Sequence, residues 1–261
     1  MGVLNVTPDS FSDGGQFNDL EAAVSHGLRL VDEGARVIDV GGESTRPGAQ
    51  PVLPQEEIRR VIPVIERLRA RTEAVISVDT SKPEVMRAAA QAGAGLINDV
   101  RALSEAGALA EAVSSGCAVC LMHMQGDPQS MQRAPHYVDV VSEVKAFLDQ
   151  RVKVCLQAGL PADRIVLDPG FGFGKTQEHN LTLLRHLREL ATEFPVLAGL
   201  SRKSTVGWLT GRPAGERVYG SVALAMMAVI KGAKIVRVHD VAATLDALKV
   251  VSAVAGEDGQ V

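Results

Sequence analysis

The 261-residue chain is poor in aromatic residues, at 3%, and has only three cysteines. With 46% hydrophobic residues overall, its core must be built from Val, Leu, Ile and Ala. Three cysteines without framework spacing exclude a disulfide scaffold and suit a reducing cytoplasm. There is no excess of positive charge either. The net charge is −4 with acids and bases interspersed, so no basic stripe is available for nucleic acid. Long apolar runs are also missing: the stretch from Val222 to Ile230 is too short to span a bilayer. No charged segment followed by an apolar one opens the chain, so no signal peptide is expected.

What is present is alternation. Short β-rich runs occur at Val3–Val6, Arg36–Val40, Ala74–Asp79, Gly95–Asp99, Cys117–His123, Arg164–Asp168, Pro195–Leu200 and Lys234–His239. Segments of helical period separate them, and several end on glycine, as at Gly34, Gly93, Gly116 and Gly232. Near-continuous apolar strands, each followed by a helix, imply a parallel sheet covered by helices. Eight such units in a chain close to the ~250 residues typical of an α/β barrel favour closure into a (β/α)₈ barrel. No linker or composition shift interrupts residues 1–261, so a single domain is expected. The first strand begins almost at Met1, which leaves either a strand lacking a few residues or a short strand with the lower rim open beside it.

Polar residues fall at the strand ends, where barrel enzymes carry their active sites. They are Asn5, Asp39, Asp79, Asn98 with Asp99, His123, Asp168, Ser201 with Lys203, and Arg237 with His239. Any one Asp or Asn could be a cap, but caps do not call for lysine, arginine and histidine as well. The turn-rich loops Thr7–Gly15 and Gly41–Gly48 are long enough to cover a substrate, and Phe11 stands in the first of them. Ser201-Arg-Lys-Ser204 leads into a helix whose free N–H groups would favour an anion beside Ser204; a serine N-cap is the plainer alternative. Arg237 and His239, two apart on a strand, share a face. With Asn5 on the neighbouring strand they form a second candidate anion site, and the Asn5 amide oxygen could serve Mg²⁺ alongside phosphates.

Other signals are weaker. Cys117-Ala-Val-Cys120 lies in a predicted strand, where residues three apart face opposite ways, so core packing is expected. Gly170-Phe-Gly-Phe-Gly-Lys-Thr176 hints at a phosphate loop, but Pro169 stands where the Walker pattern needs glycine. His123 is expected in a supporting or core role. His26, His136, His179 and His186 are expected on solvated faces. Asn180-Leu-Thr is a glycosylation sequon by pattern only.

Two stretches carry a more specific pattern: Gly2-Val-Leu-Asn-Val-Thr-Pro-Asp-Ser-Phe-Ser-Asp-Gly-Gly15 and Asp39-Val-Gly-Gly-Glu-Ser-Thr-Arg-Pro-Gly48. Ser77–Ser81, Ile97–Val100, Leu167–Phe173, Ser201–Ser204 and Arg237–Asp240 follow in order. This ordered set resembles the dihydropteroate synthase family over essentially the whole chain. The resemblance implies a (β/α)₈ barrel in which para-aminobenzoate displaces diphosphate from a dihydropterin-methyl diphosphate through an SN1-like, cation-forming step.

By the same resemblance, Asp79, Asn98, Met122, Asp168, Gly199 and Lys203 would hold the pterin. Asp79, Lys203 and Asp13 would carry the catalytic step. Asn5, Thr45, Arg237 and His239 would bind the diphosphate, with Mg²⁺ at Asn5. Phe11, Arg46, Pro47, Phe173 and Ser204 would receive para-aminobenzoate. A homodimer through the later helices and inhibition by sulfonamides are further implications. The segment Thr205-Val-Gly-Trp208 departs from the commonest family form. A folate-dependent methyltransferase of the same barrel group should lack the Phe11 loop and the Ser201–Ser204 segment. A non-catalytic pterin-binding paralogue should have lost Asn5, Arg237 or His239. All of these are present. A metal-dependent barrel hydrolase would want several histidines at strand ends, where only His123 and His239 stand.

Overall fold

The computed structural model describes residues 1–6, 15–44 and 48–255. Strands and helices alternate along it: β1 (Gly2–Asn5), α1 (Gly15–Asp32), β2 (Val37–Gly41), α2 (Pro54–Arg69), β3 (Val75–Asp79), α3 (Pro83–Gln91), β4 (Leu96–Asp99) and α4 (Ala108–Ser115). There follow β5 (Ala118–Met122), α5 (Val140–Gln157), β6 (Ile165–Asp168), α6 (Gln177–Arg185), β7 (Leu197–Ala198), α7 (Ser204–Thr210), α8 (Val218–Ile230), β8 (Ile235–Val236) and α9 (Val241–Ala255).

Strands β1 to β6 pair in chain order and in parallel, and β7 pairs with β8. Two parallel bridges join these sheets into a ring. Leu167 bridges to Val196, with the Leu167 N–H donating to the Pro195 carbonyl at 2.9 Å. Gly2 bridges to Val238, with the Val3 N–H donating to the Val238 carbonyl at 3.0 Å. The barrel therefore closes. β1 is bonded on both sides. The last two strands are shorter than the β-rich runs suggest. Val196 accepts from both Lys234 and Ile235, an irregular pairing that interrupts the ladder.

The two-residue period of the strands sorts their side chains. Leu4, Ile38, Val40, Ile76, Val78, Ile97, Val119 and Leu121 face outward and pack under the helices. Inward, Leu96, Cys120 and Leu197 form an apolar plug with Val37, Ala118, Val166 and Ile235 packed against it. Cys117 belongs to the outer layer and Cys120 to the plug, and both are free thiols, so the C-x-x-C pair serves packing as the strand period requires. Helix starts follow local chemistry. Asp139 caps α5 by accepting from the Val141 and Ser142 amides. Thr176 and His179 form a reciprocal capping box on α6. His179 thus has a bonding role that the sequence did not suggest.

Leu121 is fully buried between β5 and the helices. Leu121→Ala should cost about 2–5 kcal/mol of stability, measurable by urea unfolding, with the transition remaining cooperative.

Candidate active site

Above the apolar plug the inward face changes character. Asp39 on β2 is fully buried and is the centre of a network. Its Oδ1 accepts from the Ser77 hydroxyl at 2.6 Å, and its Oδ2 accepts from Asn98 Nδ2 at 3.0 Å and from Arg237 Nε at 2.6 Å. Arg237 enters after β8, and its Nη2 donates to Asp79 Oδ2 at 2.9 Å. One guanidinium therefore joins the carboxylates of β2 and β3. Burial, and then the neighbouring Asp39 charge, raise the Asp79 carboxyl to about 7 against the pull of Arg237. Burial opposes the Arg237 charge, but Asp39 and Asp79 outweigh it, and its pKa is raised further.

Asp168 closes β6, and its Oδ1 accepts from the Gly170 amide at 2.7 Å. Burial raises its pKa, while the Lys203 charge and the Gly170 bond act in the opposite direction. Lys203 reaches in from the turn after β7. Its Nζ donates to the Phe171 carbonyl and lies 4.8 Å from the centre of the Phe173 ring. Burial lowers its ammonium to about 8, with Asp168 resisting that shift.

Gly199, just after β7, leaves room beside both cations. A Cβ there would lie 3.7 Å from Lys203 Nζ and 3.9 Å from Arg237 Cβ, so glycine keeps the space between the two cations open. Gly41 does the same between Asn5 and Asp79: a Cβ would sit 3.7 Å from Asn5 Oδ1 and 3.6 Å from Asp79 Cβ.

The glycine-rich segment after β6 is a backbone device rather than a phosphate loop. Gly170, Gly172 and Gly174 all have positive φ, between 59° and 82°. A Cβ on Gly170 would fall 1.8 Å from the His123 carbonyl oxygen. The segment is pressed against the end of β5, and only glycine fits.

The strand-end residues predicted from sequence thus divide. Asp79, Asn98, Asp168, Gly199, Lys203 and Arg237 come together inside the barrel mouth. Met122 lies buried at the end of β5, paired in register with Asp168. Asn5 ends β1 opposite Gly41. The His239 ring Nδ1 and backbone N–H both meet the Ser201 hydroxyl, at 3.1 and 3.2 Å.

Asp99, next to Asn98, points the other way and accepts from the Ser81 hydroxyl and from the amides of Arg101 and Leu103. Ser204 is not the N-cap of α7; Lys203 holds that position, and the exposed Ser204 hydroxyl accepts from Gln177 Nε2 at 3.3 Å. Phe11, Asp13, Thr45, Arg46 and Pro47 lie outside the described residues.

Sequence reasoning left several residues out of the site. Asp39 stood among the strand-end acids without a role, although it organises the network. Ser77 stood only as the first residue of a matched stretch, without a role, and Gln177 became visible only through its bonds to Ser204 and Thr205. A cleft of about 540 Å³ opens beside Asp79, lined also by Glu43, Glu57, Lys82 and Arg101. Lys82 binds both Glu43 and Glu57 there, tying the start of the loop after β2 to α2.

Removing the Asp39 carboxylate would leave Arg237 and Asn98 without their shared acceptor. Asp39→Ala is expected to cost about 3–5 kcal/mol, whereas Ser77→Ala should cost about 1 kcal/mol. Urea titration of the two variants checks both values; equal losses would mean that Asp39 is not the hub.

Comparison with known proteins agrees with this geometry. Residues 1–239 match the family model described as pterin binding enzyme. A dihydropteroate synthase of Escherichia coli (strain K12) is 54% identical over 254 residues, covering 97% of this chain and 90% of that protein. A solved dihydropteroate synthase of Xanthomonas albilineans with 4-aminobenzoic acid superposes with a TM-score of 0.93 at 57% identity, over 98% of this chain and 92% of that one. A Yersinia pestis dihydropteroate synthase in a sulfonamide drug complex gives 0.93 at 52% identity, over 97% and 93%. The chain belongs to the pterin-binding enzyme family, among the dihydropteroate synthases.

Proposed function

We propose that the barrel mouth joins a dihydropterin-methyl diphosphate to para-aminobenzoate, releasing diphosphate, as a single functional domain of residues 1–261. One observation carries the assignment of roles: Asp79, Asn98, Asp168 and Lys203 come together in the barrel mouth, with Gly199 beside Lys203. A pterin offers an amino-pyrimidine edge rich in donors and a carbonyl beside it. Asp168 and Asn98 suit the first, and the Lys203 ammonium suits the second. A buried donor left without an acceptor costs about 1–3 kcal/mol, so carboxylates placed there select this ring. Met122 supplies an apolar face.

Departure of diphosphate leaves positive charge on the pterin methylene. The ionised Asp79, and Asp13 from the first loop, are placed in this reading to stabilise it. The arylamine then bonds to that carbon and loses its proton. It is nucleophilic without a base. Asn5, Thr45, Arg237 and His239 hold the leaving diphosphate. Arg237 uses Nε and Nη2 on Asp39 and Asp79, which leaves Nη1 for a phosphate oxygen. Phe11, Arg46, Pro47 and Phe173 wall the para-aminobenzoate ring, and Ser204 takes its carboxylate.

The donor set also fits Mg²⁺. An ion would bind through the Asn5 amide oxygen together with diphosphate oxygens. Bound there, it would neutralise leaving-group charge. The exposed apolar side chains on α7, α8 and α9, among them Trp208 at 60% and Tyr219 at 86% exposure, support a homodimer through these helices. The buried free thiols of Cys117, Cys120 and Cys155 suit a reducing cytoplasm.

The test is formation of dihydropteroate from both substrates with Mg²⁺, with no product when either is omitted. Asp79→Asn and Lys203→Ala should slow turnover severely while the far-ultraviolet circular dichroism stays unchanged; near-normal rates would refute the roles given. A sulfonamide should compete with para-aminobenzoate, raising its KM.

The pH profile of kcat/KM has a required sign. Asp79 must be ionised, so activity rises through a pH of about 7. Lys203 must be protonated, so activity falls through about 8. Lys203→Arg should move the basic limb upward and leave the acidic limb in place.

A further inference from the structure

Lys175 is only 2% exposed and has no part in the chemistry described above. Its Nζ lies 3.0 Å from the Gly170 carbonyl, 3.0 Å from the Phe173 carbonyl, 2.9 Å from His123 Nδ1 and 3.4 Å from the His123 carbonyl. Burial lowers its pKa to about 7, with the Asp168 charge resisting that shift; as an ammonium it has three N–H donors, and these carbonyls and the His123 ring are the acceptors around it. His123 fits the role of acceptor. Burial, followed by the Lys175 charge, lowers its pKa to about 3, so the ring stays neutral, and the tautomer with its proton on Nε2 leaves Nδ1 to accept from Lys175.

Burying a lysine is costly, and this one is buried where it ties down the segment Gly170–Gly174. That segment holds both groups against which Lys203 rests, the Phe171 carbonyl and the Phe173 ring. Tyr137 fastens the same segment from another side by donating to the Gly174 carbonyl at 2.8 Å.

We propose that Lys175 is a positioning residue for the pterin pocket: by binding the Gly170 and Phe173 carbonyls it fixes the loop after β6, and through that loop it sets the place of the Lys203 ammonium. The inference rests on the reading that Lys203 and Asp168 hold the pterin. A filler of the core would need no charge, and an apolar side chain of the same length would serve as well. Lys175 instead gathers backbone carbonyls from two turns of a loop whose glycines cannot hold it by themselves.

The test compares wild type with Lys175→Gln, Lys175→Met and Tyr137→Phe, each alone and combined with Lys203→Met, in the presence of both substrates. In the folded Lys175 variants, kcat/KM for the pterin diphosphate should fall roughly 100-fold, the scale of a misplacement of about 1 Å. The KM for the pterin should carry most of this loss. The double variants should be no slower than Lys203→Met alone, since Lys175 acts through it. A change confined to stability would instead lower the unfolding temperature and leave kcat/KM of the folded protein intact.

Losses that multiply, or wild-type kcat/KM in a folded Lys175 variant, overturn the proposal. If both Lys175 variants fail to fold, Tyr137→Phe decides. It releases the same loop at one hydrogen bond and should lower kcat/KM in the same direction; unchanged kinetics there overturn it. Wild type that forms no dihydropteroate would sink the reaction assignment alone. Calorimetric titration with 6-hydroxymethylpterin would still decide on Lys175, by a weakened or an unchanged Kd in the variants.

Discussion

Three carboxylates inside a closed barrel are the constraint on which the rest of this structure turns. Asp39, Asp79 and Asp168 are drawn out of water by the ring of strands around them, and a buried charge without a partner is strongly destabilising. The partners come from the far end of the chain. Arg237 enters beside β8 to join Asp39 and Asp79, and Lys203 enters beside β7 opposite Asp168. Neither cation can reach its carboxylates unless the barrel has closed. Closure and charge balance are therefore a single requirement. The same arrangement leaves acceptors and one ammonium facing the barrel mouth.

Holding that space open falls to residues with no functional group. Gly199 and Gly41 keep side chains out of the gaps between Lys203 and Arg237 and between Asn5 and Asp79. The loop after β6 does the complementary work. Its glycines let the backbone press against the end of β5, where Lys175 fastens it. The protein places its cations by two different means. Arg237 is held by the carboxylates it neutralises, whereas Lys203 rests on a carbonyl and a ring whose position depends on their loop.

Much of this was legible along the chain. The alternation of apolar runs with helical segments gave the (β/α)₈ order, and the strand-end acids marked the upper face of the barrel. The period of two also separated Cys117 from Cys120. Other features needed the fold. Asp39 reads as one strand-end acid among several until Arg237, 198 residues further on, arrives at its Oδ2. Lys175 reads as part of a failed phosphate-loop pattern until the carbonyls around it are visible. Asn98 and Asp99 look like a pair, yet the pleat sends one into the pocket and the other to the turn at Leu103.

The sequence by itself determined the class of the fold, the face that carries the site and, through its ordered motifs, the family. Those are properties of local periodicity and of residue type at set positions, which a one-dimensional string records completely. Tertiary structure alone decided which acids share a cation, which glycines are openings rather than turns, and which lysine faces the pocket and which lies behind it. These outcomes depend on distances between segments far apart in the chain, and only closure of the barrel sets those distances.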